Sequence, residues 1–111
     1  MPAEKNALQN YRTEKTVVKL AACTLEPYET NVLADSAAGA FLITMPPVAE
    51  CIGKIFAIRM VDATAAVTIT DHSDSVDWNN AGGVITLNAL HDRALLYSDG
   101  ACWWTLQDLF T

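Results

Sequence analysis

Apolar and polar residues alternate with a period of two through most of the chain, in short runs broken by turn residues. That is the pattern of half-buried β-strands, not of helices. The alternation begins at Thr16-Val17-Val18-Lys19-Leu20 and resumes at Thr30-Asn31-Val32-Leu33. Between them Glu26-Pro27-Tyr28-Glu29 makes a turn, because proline fixes φ and removes a backbone donor. Within the run Ala40 to Met45, Phe41, Ile43 and Met45 share one face while Leu42 and Thr44 take the other, so both sides carry apolar weight. Pro46-Pro47 must end that ladder, and Val48 to Ile52 forms a connection with room for one short helical turn before Gly53. Lys54 to Met60 is strand again, with Phe56, Ile58 and Met60 pointing one way and Ile55, Ala57 and Arg59 the other.

Ala66-Val67-Thr68-Ile69-Thr70 alternates cleanly, after which the acidic loop Asp71 to Asn80 and the Ala81-Gly82-Gly83 turn lead to a strand over Val84 to Asn88. The last two strands, Arg93 to Ser98 and Ala101 to Gln107, fold back on each other about Ser98-Asp99-Gly100. Asp-Gly supplies the positive φ that such a hairpin turn demands. About eight short strands at this spacing predict an all-β fold, a small β-sandwich or barrel-like domain over residues 16–111. Residues 1–15 carry no sustained apolar stripe and read as an extended N-terminal arm or a short helix. No internal repeat or low-complexity segment interrupts the pattern.

At 111 residues the chain is one domain, able to bury roughly 60 to 70 per cent of its unfolded surface. Hydrophobic residues make up 51% and charged residues only 18%. The charged share is below the roughly 25% usual for soluble proteins, and self-association would account for it. A net charge of −6 argues against nucleic acid as a partner, since phosphate binding needs the opposite sign. The charge is unevenly placed: residues 1–19 hold four basic groups against two acidic ones, whereas residues 20–111 hold three against eleven. The first residues lack the basic-then-apolar pattern of a secretory signal. The longest uncharged stretch, Ser36 to Ala49, is too short to span a bilayer and contains Pro46 and Pro47, so no membrane partner is expected. Cys23, Cys51 and Cys102 are odd in number and lack Cys-x-x-Cys spacing, which predicts reduced, buried thiols in a protein made in a cytoplasm.

Candidate chemistry is sparse. Asp71-His72-Ser73-Asp74-Ser75-Val76-Asp77 gathers hard oxygen ligands of the kind calcium prefers, but it lacks the Asp-x-Asp-x-Asp-Gly pattern and a downstream bidentate Glu. A solvated turn, with its side chains bonding local backbone, is the expected role, and no metal or other cofactor is assigned. His72 and His91 have neither a His partner at metal spacing nor a Ser or Cys in a nucleophile context, so no catalytic residue is assigned and the chain is read as non-enzymatic. Trp78, Trp103 and Trp104 suggest a sugar-stacking platform at first sight. Adjacent strand residues face opposite sides, however, so Trp103 and Trp104 cannot line one surface together. Core or subunit-interface packing is the better account of Trp103 and Trp104, and of the apolar carboxyl end with Leu109 and Phe110. In the arm, Lys5, Tyr11, Arg12 and Lys15 are the candidate docking residues.

From about Leu20 to Leu106 a series of motifs occurs in a fixed order: Thr44-Met45-Pro46-Pro47, Gly53-Lys54-Ile55-Phe56, Val67-Thr68-Ile69-Thr70, Val76-Asp77, and Leu96-Tyr97-Ser98-Asp99-Gly100-Ala101-Cys102-Trp103. In this order they resemble a structural β-domain of bacteriophage virion proteins, of the capsid-decoration, head-fibre and tail-fibre type. The resemblance implies a virion protein made in the host cytoplasm, commonly a homotrimer, with no conserved active site. Its implied partners are further copies of itself and the phage major capsid protein or another virion protein. Here the module is nearly the whole chain, which favours a capsid decoration (cement) or head-fibre subunit attached through its arm. The alternative is a tail-fibre or tail-tip receptor-binding module contacting host glycans.

Overall fold

A computed structural model of the chain describes residues 15–73 and 84–109. Nine strands form among the described residues: β1 (Thr16–Lys19), β2 (Cys23–Thr24), β3 (Asn31–Asp35), β4 (Phe41–Thr44), β5 (Ile55–Asp62), β6 (Val67–Thr70), β7 (Ile85–Leu87), β8 (Arg93–Ser98) and β9 (Trp103–Leu109). The turn expected between Pro47 and Gly53 is a 3-10 helix over Val48–Cys51. The strands make two sheets, one in the order β1-β3-β5-β8-β9 and the other β2-β4-β6-β7. The all-β class therefore holds, and the body is two separate sheets, not a closed barrel.

From β1 to β6 the chain changes sheet at every connection, so each strand lies parallel to the one two before it. Parallel neighbours need a crossover, and the strand laid down in the opposite sheet serves as that crossover in place of a helix. Equivalent positions are unevenly spaced, since Thr16 stands beside Asn31 while Asn31 stands beside Ala57. The winding consequently leaves no period in the sequence. Antiparallel β7 closes the smaller sheet against β6, and the β8–β9 hairpin closes the larger one against β5. Opposite the Leu95/Leu96 step, β9 carries a bulge. The register passes from Thr105 to Gln107 there, and Leu106 is the extra residue.

The residues that the alternation places on one face of β5 point inward. Phe56, Ile58 and Met60 of β5 meet Ile43, Val67 and Ile69 of the smaller sheet in one core that also holds Leu25, Val32, Leu87, Leu96 and Trp103. Trp103 has no exposed surface and stands edge-on to Phe56, with ring centroids 5.5 Å apart and planes at 80°. Two buried serines fix the corners. The Ser36 hydroxyl lies 2.7 Å from the Asp62 carbonyl and 2.6 Å from that of Ala65, and accepts the Ala65 N–H, tying the β3–β4 corner to the β5–β6 corner. Ser98 Oγ donates to the Val48 carbonyl at 2.7 Å and accepts the Gly100 N–H.

The turn at Glu26 to Glu29 is held by charge. Glu29 accepts the Glu26 N–H on Oε1 at 2.8 Å and the Lys19 ammonium on Oε2 at 3.1 Å. Burial works to raise its carboxyl pKa, but the Glu26 N–H and Lys19 outweigh that and hold it below the ordinary value. Since the folded value is depressed, the contribution is present above the unfolded pKa and is lost as pH falls through the folded one, from about pH 5 downward. Asp62, held by Thr64, acts in the same direction. Urea midpoints at pH 7 and pH 3 should therefore fall further in the wild type than in Glu29→Gln. Equal losses in the two proteins would mean that Glu29 takes no part in acid unfolding.

Candidate functional site

Cross-strand register sorts the outward residues of the larger sheet into rows. Ile55 of β5 stands opposite Tyr97 of β8, which stands opposite Trp104 of β9. Ala57 stands opposite Leu95, and Arg59 opposite Arg93. Leu33 continues the arginine row on β3 and Val18 on β1. Ile55, Val18, Val61 and Leu106 are well exposed, and Trp104 is 40% exposed. The smaller sheet presents a different outer face: Thr24, Thr44 and Thr70 form one row, and Leu42, Thr68 and Thr86 the next. Threonine suits both a pleated strand and water, so that face, Leu42 apart, is built of threonine where the other mixes aliphatic and aromatic side chains with Arg59 and Arg93.

At the hairpin tip Asp99 organises the edge of the apolar face. Its Oδ1 accepts the N–H groups of Ala101 and Cys102 at 2.8 and 2.7 Å, and its Oδ2 accepts the Trp104 indole N–H at 2.8 Å. The Trp104 bond first, and then the two backbone bonds, hold the Asp99 carboxyl below its usual range. The indole is thereby fixed against the sheet with its ring turned outward. Towards the other end of the face, Arg59 donates to His91 Nδ1 at 2.9 Å, so in this geometry Nδ1 is the unprotonated ring nitrogen.

The tip also locks into the corner formed by Pro47 to Phe56. The Gly53 N–H donates to the Ser98 carbonyl at 2.9 Å and the Ser98 N–H to the Lys54 carbonyl at 3.2 Å, while Ser98 Oγ holds the 3-10 helix. Gly100 lies against the Ile52 side chain. Segments some fifty residues apart, such as Val48 and Ser98, thus form one interlocked unit.

Of the residues singled out in the sequence, Trp103 is core and Trp104 lies on the outer face. Leu109 ends β9 opposite Arg93. Lys15 is bonded to the body: its N–H donates to the Tyr28 carbonyl at 2.7 Å, its carbonyl accepts the Asn31 N–H, and its ammonium sits 5.6 Å above the Tyr28 ring. Lys5, Tyr11, Arg12, Trp78 and Phe110 lie outside the described residues, as does the acidic loop beyond Ser73. Among the described residues no three His, Cys, Asp or Glu side chains come together to hold a metal ion. None of the three cysteines is in a disulfide; Cys51 is buried and Cys23 and Cys102 are half-buried. Burial raises the Cys23 thiol pKa against the opposing pull of Lys19. A shallow groove of about 280 Å³ runs between Leu20-Ala21-Ala22 and Ala38-Gly39-Ala40-Phe41.

Sequence reasoning missed the outer face. Ile55, Tyr97 and Trp104 are scattered along the chain, and only the register brings them into one row. No family model matches the chain, and neither a curated protein nor a solved structure matches it.

Proposed function

We propose that the chain is a non-enzymatic structural subunit of a bacteriophage virion, a homotrimeric capsid decoration or head-fibre protein attached to the shell through its N-terminal residues. One observation carries this. Two motifs on which the resemblance rests, Gly53-Lys54-Ile55-Phe56 and Ser98-Asp99-Gly100 with Trp103, interlock at one corner through Gly53, Lys54, Ser98 and the Phe56–Trp103 contact, and Ser98 also holds Val48, which follows Met45-Pro46-Pro47 directly. Residues that hold one another in place are expected to recur together, so their joint occurrence speaks for a shared architecture more strongly than any one of them does.

The mechanism is adhesion by mass action. A subunit that binds only the assembled lattice stabilises it by RT ln(1 + [L]/Kd), about 2.7 kcal/mol per site at a hundredfold excess. Residues 1–19 carry a net positive charge and the remainder a strongly negative one, which makes the N-terminal residues the natural contact with an acidic shell. The exposed Trp104 beside the half-buried Tyr97 favours a second reading, a tail-tip module that stacks host sugars.

Lys15 is bonded to the body, so the informative truncation removes residues 1–14. The intact chain should report about three times 12.0 kDa by light scattering, and the truncated chain should stay folded and trimeric while its binding to purified particles falls sharply. Binding of the intact chain should also weaken with salt as the Debye length shrinks from roughly 10 Å to 3 Å. Full occupancy of particles by the truncated chain would move the contact to the β body, and loss of host adsorption with particle association intact would favour the tail-tip reading.

A further inference from the structure

We infer that the outer face of the five-stranded sheet, centred on Trp104, Tyr97, Leu95 and the Arg59–Arg93 pair, is where a second copy of this chain docks. Resting on the homo-oligomer proposed above, this names its contact surface. Three observations support it.

The first is the contrast between the two outer faces. The four-stranded sheet turns rows of threonine outward, including Thr24, Thr44 and Thr70, which shows how this chain builds a face for water. Across the five-stranded sheet the row Ile55–Tyr97–Trp104 is aliphatic and aromatic from strand to strand, and Val18 and Leu33 extend the row of Arg59 and Arg93, while Thr16 and Asn31 make the β1–β3 end of the Ala57–Leu95 row polar. Strands about 4.8 Å apart and residues about 3.3 Å apart make this face roughly 20 Å by 20 Å. That is roughly 400 Å² in projection and more in accessible area. A patch of this size falls within the roughly 300–600 Å² of the largest patches on monomers, which are often functional.

The second is charge. Arg59 and Arg93 stand directly opposite each other, an arrangement that costs stability within a sheet. Among the described residues neither guanidinium is paired with a carboxylate, and Arg59 meets only the ring nitrogen of His91. Carboxylates supplied by a docking partner would relieve this like-charge contact. A chain with thirteen acidic groups against seven basic ones brings them in every further copy.

The third is composition at the centre of the patch. Tyr, Trp and Arg are the residue types that dominate binding hot spots, and here they occupy adjacent rows on neighbouring strands. Trp104 is already oriented by Asp99, so little side-chain freedom remains to be lost on docking.

Sedimentation tests the proposal. Wild-type protein should sediment as an oligomer at micromolar concentration. Trp104→Glu and Tyr97→Lys should each weaken assembly at least a hundredfold, and Arg59→Glu combined with Arg93→Glu should do the same. Thr68→Glu, on the threonine face, should leave assembly unchanged. An oligomer that survives both Trp104→Glu and Tyr97→Lys, or that Thr68→Glu disrupts, overturns this face and leaves the homo-oligomer standing. A wild type that stays monomeric at 100 µM overturns both, while membership of the virion is decided independently by detecting the chain in purified particles. Should the variants not fold, hydroxyl-radical footprinting of the wild type answers the same question. Oxidation of Trp104 and Tyr97 should drop across the monomer–oligomer transition, and unchanged oxidation would overturn the proposal.

Discussion

Trp103→Ala should lower the stability of the chain by about 3–5 kcal/mol, the range for emptying a buried aromatic site. Trp103 is among the largest side chains with no exposed surface. It sits on β9 directly opposite Ser98, and its edge-on contact with Phe56 adds about 0.5–1.5 kcal/mol beyond area burial. A domain of this size has only about 5–15 kcal/mol in hand, so the melting midpoint should fall by about 15 °C or more. The indole N–H of Trp103 has no acceptor among the described residues, and a buried donor without a partner is itself unfavourable. Trp103→Phe removes that donor along with part of the ring and should cost much less than the alanine variant, about 1–2 kcal/mol. Thermal and urea unfolding of the two variants check both values. A loss under 1 kcal/mol for Trp103→Ala would place this residue outside the core.

The position of Trp103 was only half legible in the sequence. Strict alternation in Trp103-Trp104-Thr105 required one tryptophan inside and one outside, but the choice between them depends on the register of β9 against β8. The same limit applies more widely. The inward faces of β4, β5 and β6 could be read from Phe41-x-Ile43-x-Met45, Phe56-x-Ile58-x-Met60 and Val67-x-Ile69, because a period of two is a local property. Strand direction is not local. The alternation in β3 is the same whether its neighbour β5 runs parallel or antiparallel, and the unequal corners between Thr16, Asn31 and Ala57 hide the winding. The two-residue strand Cys23–Thr24 lies below any pattern threshold and is defined by its pairing with Ile43 and Thr44. Arg59 facing Arg93, on which the docking face partly rests, is likewise a product of register between distant segments.

Gly100→Val should destabilise the chain by about 1–3 kcal/mol, chiefly through the backbone. Gly100 adopts φ +99°, a region that side chains with a branched Cβ strongly disfavour. There is also a steric component: a Cβ at this position would lie 2.8 Å from Ile52 Cγ1 and 3.0 Å from Cδ1. Ile52 is 67% exposed and can swing towards solvent, so the contact is the cheaper of the two penalties. The components separate in a double-mutant cycle. Ile52→Ala should recover only the smaller part of the loss seen in Gly100→Val, leaving the φ strain in place. The strain would also reach beyond the turn, since the Gly100 N–H donates to Ser98 Oγ and that hydroxyl holds the Val48 carbonyl. The variant should therefore speed amide exchange at Gly53, whose N–H is bonded to the Ser98 carbonyl, as well as at the hairpin tip. An unchanged melting temperature would mean that the hairpin turns elsewhere, and full recovery by Ile52→Ala would mean that the steric contact, not the backbone, requires glycine here.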